Sequence, residues 1–64
     1  MMDLLSLRQA ARELRVAERT LRRAVRAGEL PAFQLGTRTI RLDRADVQQW
    51  VRAKRIQAWR AEGR

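Results

Sequence analysis

Apolar and polar positions change period twice along this chain, and the changes divide it into helices and strands. Leu7, Ala10, Ala11 and Leu14 recur at i, i+3, i+4 and i+7, which is one face of a helix. Ser6 opens it with a capping box, because Gln9 three residues later can reach back to the Ser6 N–H. Arg15 and Val16 form a short turn. A second helix follows, with Thr20, Leu21, Ala24 and Val25 on one side and Gly28 as its stop. Leu30-Pro31 then breaks the helical register, and from Ala32 the period becomes two. Phe33 and Leu35 alternate with Ala32 and Gln34, and Ile40 and Leu42 with Thr39 and Arg41. Gly36-Thr37-Arg38 lies between the two runs as a hairpin turn in which Gly36 is free to take positive φ. Both strands are expected to turn their apolar side chains toward the helices. Asp43 can cap a third helix, with Asp46 in its first turn and Val47, Trp50, Val51 and Ala58 at helical spacing. That helix is expected to reach about Glu62, near ~30 Å in length.

Two short helices joined by a tight turn give a helix-turn-helix outline. The two-stranded hairpin and C-terminal helix that follow make it a small α+β fold, a winged helix-turn-helix. The expectation is one domain over residues 1–64, with 54–64 extending the last helix. No repeat, linker or low-complexity segment interrupts it. At 64 residues such a domain buries roughly 60% of its unfolded surface and is marginal in stability. The chain has no cysteine and no histidine, so disulfides, thiolate metal sites and the commonest general base are excluded. No apolar run approaches the ~20 residues of a membrane span, and no signal peptide is visible. The expected setting is the reducing cytoplasm.

Charge changes the picture most. Fifteen basic residues against seven acidic ones leave +8, and fourteen of the fifteen are arginine. Codon bias in a GC-rich genome accounts for part of the preference for arginine over lysine. It does not account for the excess of charge or its placement. Arg19, Arg22, Arg23 and Arg26 share one face of the second helix, nearly opposite Leu21, Ala24 and Val25. At this spacing like charges repel by a few tenths of a kcal/mol per pair, a cost that an anionic partner removes. A merely solvated face would mix signs, whereas only Glu18 interrupts this one. A B-DNA major groove accepts an α-helix and offers guanine edges and phosphates to arginine. Thr37 and Arg38 at the hairpin tip, with Arg41 on its outward face, can follow the DNA backbone or enter the minor groove.

The run Leu7-Arg8-Gln9-Ala10-Ala11-Arg12-Glu13-Leu14, then Val16, Arg19-Thr20-Leu21, Gly28-Glu29-Leu30-Pro31-Ala32, Leu35-Gly36, and Leu42 through Asp46-Val47 and Trp50 resembles the excisionase family of DNA-binding domains, relatives of the MerR-type winged helix. The resemblance covers roughly residues 4 to 52. It implies that the helix over about residues 18–27 docks in the major groove and that the wing, residues 36–41, contacts the adjacent minor groove. It also implies a partner and a process. Phage members are recombination directionality factors that bind beside an attachment site, bend the DNA and help a tyrosine integrase excise the prophage. Several bind cooperatively to adjacent sites, in the host bacterial cytoplasm at the nucleoid; other members regulate transcription. Two departures concern stability: Arg15 stands where the turn commonly has glycine, and Ala17 where a Ser or Thr helix cap is usual.

Beyond the shared span, Ile56 and Trp59 are i, i+3 neighbours. Trp59 either packs back on its own domain or anchors a neighbouring protomer or an integrase; Lys54, Arg55 and Arg60 can add phosphate contacts. Nothing here reads as an enzyme. The hydroxyls are Ser6, already a helix cap, and Thr20, Thr37 and Thr39. Tyrosine is absent, Asp43 and Asp46 are better explained as capping residues than as metal ligands, and there is no glycine-rich phosphate loop. No cofactor, metal or small-molecule ligand is expected. A transcriptional regulator on the same fold is the alternative function, disfavoured by the lack of room for a dimerisation coil and effector domain. A membrane-surface peptide is opposed by Gly28, Pro31 and the hairpin. RNA binding is opposed by the scarcity of stacking aromatics.

Overall fold

The computed structural model describes residues 2–56. Six elements follow in order: β1 (Leu4–Ser6), α1 (Leu7–Leu14), α2 (Glu18–Arg26), β2 (Phe33–Gln34), β3 (Ile40–Asp43) and α3 (Arg44–Ala53). The first helix begins as its capping box requires. Ser6 Oγ accepts from the Gln9 N–H at 3.0 Å and Gln9 Oε1 from the Ser6 N–H at 2.9 Å. It ends at Arg15, which takes a left-handed φ of 58° so that the Val16 N–H can reach the Ala11 carbonyl at 3.0 Å. Gly28 ends α2 with φ +78°. The Glu29 N–H bonds the Ala24 carbonyl and the Gly28 N–H the Val25 carbonyl, the two bonds of a Schellman motif. This reversal carries Leu30 into the core, where it is 1% exposed.

Leu21, Leu30 and Leu42 form the centre of the core, surrounded by Leu5, Leu7, Ala10, Ala11, Ala24 and Val47. Leu14, Val25, Ala32, Ile40 and Trp50 pack around it, partly buried. Thus α1 contributes the apolar face that its spacing marks, while α2 contributes Leu21, Ala24 and Val25 but leaves Thr20 exposed, and α3 contributes Val47 and Trp50 but leaves Val51 exposed. Asp43 caps α3, its carboxylate accepting from the Ala45 N–H at 3.1 Å, and Asp46 stands in the first turn.

Four features depart from the sequence expectation. A third strand, β1, joins the hairpin, so the sheet is antiparallel with order β1-β3-β2. Leu5 faces Leu42 across it and is 5% exposed. Three residues are too few for a period-two signal.

The second departure is the facing of β2. Phe33 stands opposite Arg41 and Gln34 opposite Ile40, so Ala32 rather than Phe33 packs against the core, while Leu35 is 60% exposed. Register, which follows the turn, decides the inward face of so short a strand.

Third, Gly36 does not use positive φ; among the described residues Gly28 is the glycine that does. A side chain at Gly36 would instead meet Thr39, 3.3 Å from its hydroxyl. The turn closes through a 2.7 Å bond from the Leu35 N–H to the Thr39 carbonyl.

Fourth, α3 stops at Ala53, with Lys54 as its C-cap, rather than running to Glu62. Val51, Arg52 and Ala53 are exposed, so the last turn has no core beneath it to reward further helix. Ala58 and the rest of residues 57–64 lie outside the described residues.

Candidate nucleic-acid interface

The second helix presents its cations away from the core. At about 100° per residue, Arg22, Arg26, Arg19 and Arg23 span an arc of about 100°, centred opposite Leu21, Ala24 and Val25. All four are exposed. The arc has two flanks: Arg22 and Arg26 lie toward the wing, Arg23 lies on the other side, and Arg19 is near the crest. The turn preceding α2 sets this orientation without a side-chain cap, since Ala17 has cap-like φ −70° and ψ 142° but no side-chain oxygen.

On the wing side a cleft opens between α2 and the hairpin. It brings together Arg22 and Arg26 from α2 with Arg38 and Arg41 from the hairpin. Arg38 is exposed at the turn, and Arg41 is half-buried, donating to the Ile40 carbonyl at 2.9 Å. Thr37 is exposed at the tip, where its carbonyl accepts from the Gln34 side-chain amide at 3.1 Å. Arg19, Arg23 and Thr37 do not line the cleft.

Arg8 joins the cleft from α1, and sequence reasoning missed it. As one more polar residue on the outer face of the first helix, it gives no signal of its own. Its position follows from β1, because Ser6 pairs with Arg41 and so sets the start of α1 beside the wing. Five arginines from three segments therefore converge on one concavity. The single acid among them is Glu18, which accepts from Arg22 Nη2 at 2.9 Å. Both partners of that pair are well exposed, 45% and 40%, so an anion can compete for Arg22 at little cost.

Away from the cleft, the ion pairs of Arg44 are structural. Arg44, at the start of α3, donates to Asp3 at 2.6 Å and to both carboxylate oxygens of Glu13. The hydrogen bonds it donates to Glu13, and then to Asp3, raise its pKa beyond the ordinary arginine value. This clamp ties the N-terminal strand and α1 to α3, away from the cleft. Among the described residues no group of three His, Cys, Asp or Glu side chains is placed to hold a metal ion, and no helix is long and apolar enough to cross a membrane. Ile56 is 58% exposed; Trp59 lies outside the described residues.

A tight pair of helices, a hairpin beside the second, and a basic cleft between them define a winged helix-turn-helix domain of the DNA-binding kind. The chain belongs to the helix-turn-helix domain family, which matches residues 4–55 and includes excisionase-like DNA-binding proteins. Membership supports sequence-specific DNA binding, and domains of this kind are typically not enzymes. No curated protein and no solved structure matches the chain.

Proposed function

We propose that this protein binds double-stranded DNA with α2 in the major groove and the wing at the adjacent minor groove, and that it acts as an excisionase. The observation that carries the reading is the cleft in which Arg22 and Arg26 of α2 face Arg38 and Arg41 of the wing, with Arg8 beside them. A phosphate strand passing between helix and wing meets guanidinium groups on both sides, while Arg19, near the crest of the helix, remains directed into the groove. Arginine suits both tasks, because its planar fork bonds bidentately to phosphate and to guanine O6 and N7. Thr37 at the wing tip adds a hydroxyl donor of the kind that fixes register on the backbone. Gripping the duplex from two grooves favours bending, and bending is the architectural work that integrase-mediated excision of a prophage requires. Exposed Ile56, with Trp59 three residues on, suits contact with a neighbouring protomer or an integrase. Bacterial cytoplasm, at the nucleoid, is the corresponding location.

Footprinting on duplexes spanning a recombination attachment site, across a salt series, tests the binding. A protected site and a steep fall of affinity with salt are expected; indifference to duplexes at low ionic strength would end the reading. Excision by the cognate integrase, assayed with and without the protein, tests the role. Stimulation is expected. Site-specific binding without stimulation would leave regulation of transcription by occupancy in its place.

A further inference from the structure

We propose that the flank of α2 turned away from the wing carries a second phosphate-binding site, in which Arg23 and Thr20 of α2 act together with Lys54 at the end of α3. The inference rests on major-groove docking of α2 and adds to it a contact that the wing cleft does not supply.

The geometry is that of a helix in a groove with two walls. With its side chains an α-helix is about 10–12 Å across, close to the ~12 Å width of the B-DNA major groove. A helix that fills the groove therefore meets a phosphate strand on each flank. Arg22 and Arg26 serve the wing flank. On the opposite flank, Thr20, Arg23, Ala24 and Ala27, with Glu29 just beyond α2, line one side of a shallow concavity whose other side is Trp50 of α3 and its C-cap Lys54. Ala24 and Ala27 keep its floor low, so a sugar–phosphate backbone can approach closely. Arg23 and Thr20 supply donors of the types that dominate phosphate contacts.

Lys54 is the only lysine in the chain, and it is held in place. Its Nζ lies 5.0 Å from the centroid of the Trp50 ring, within cation–π range. The Trp50 Nε1 is buried without a hydrogen-bond partner, so the indole contributes here as a face rather than as a donor. A cation positioned in advance loses less freedom when an anion arrives. Glu29 Oε1, 3.5 Å from Nζ, occupies the place a phosphate oxygen would take. That pair is weak, because both side chains are more than half exposed. An incoming phosphate displaces it. A compact ammonium reads charge rather than base identity, so the contact is sequence-independent.

The test titrates labelled duplexes, one carrying the footprinted site and two of unrelated sequence, over a salt series with wild type, K54Q, K54R and E29Q. K54Q is expected to weaken binding about three- to eightfold on every duplex and to lower the slope of log affinity against log salt by about 0.9, the signature of one lost phosphate. K54R should restore most of the slope, and E29Q should tighten binding several-fold on all duplexes. Wild-type binding together with an unchanged slope for K54Q would overturn the second site and leave the wing-side reading standing. A K54Q loss confined to the specific duplex would overturn it too, by making Lys54 a base reader. Failure of the wild type to bind any duplex would remove both.

Discussion

The Arg22 guanidinium donates to the Glu18 carboxylate across one turn of α2, at 2.9 Å, inside a cleft whose other charged residues are all arginines. The acid does two opposed things there. It relieves repulsion among the cations of a free helix, and it repels the phosphates that those cations would bind. Replacing Glu18 with glutamine keeps the shape and removes the charge. Affinity for unrelated duplexes should rise several-fold at low salt, with a smaller gain on the specific site and hence poorer discrimination. Stability should move by no more than about 0.5 kcal/mol, since the pair is exposed. Fluorescence anisotropy on matched and unrelated duplexes reads the first effect and thermal unfolding the second. Weaker binding by Glu18→Gln would show that the carboxylate holds Arg22 for base contact instead.

Ala17 leaves the first N–H groups of α2 without a side-chain acceptor, although its backbone already has the extended conformation of a cap. Ala17→Ser should therefore stabilise the domain by about 1 kcal/mol. In so small a domain that amounts to a rise of several degrees in Tm, measurable by circular dichroism. No rise would mean that the turn does not present the serine hydroxyl to those N–H groups.

Arg15 holds a left-handed φ of 58°, a conformation that costs a residue with a side chain roughly 1–2 kcal/mol. Glycine takes it freely but loses more entropy on folding. The difference predicts that Arg15→Gly stabilises the domain by about 0.5–1 kcal/mol in urea unfolding, despite deleting the side chain. A destabilised variant would mean that the arginine side chain makes a compensating contact.

A chain without histidine, cysteine or tyrosine has no side chain whose ordinary pKa falls between about 5 and 10. Arg44 is the ion-pair hub, and its pKa is raised by the Glu13 and Asp3 hydrogen bonds. A raised value in the folded state contributes stability below the unfolded pKa and loses it as pH climbs through the folded one. For arginine both lie far above neutrality. Stability and duplex affinity should therefore be flat from about pH 6 to 9. A step near pH 7 in either quantity, followed by unfolding and anisotropy, would contradict this account.

Local signals carried most of the architecture. Capping at Ser6, the left-handed stop at Gly28, the cap at Asp43 and the outward set of Arg19, Arg22, Arg23 and Arg26 each depend on residues within a turn or two, where backbone hydrogen bonding and helical periodicity act directly. The contributions of distant segments were not written locally. Strand β1 exists because Leu5 finds Leu42, and Arg8 reaches the cleft because Ser6 pairs with Arg41. Phe33 faces away from the core because the hairpin register, not the alternation, sets its side. The third helix stops where its supporting core ends, and Lys54 there meets Glu29, which follows α2. Pairing between remote strands and the reach of the core beneath a helix depend on the whole packed chain, so they emerge only in three dimensions.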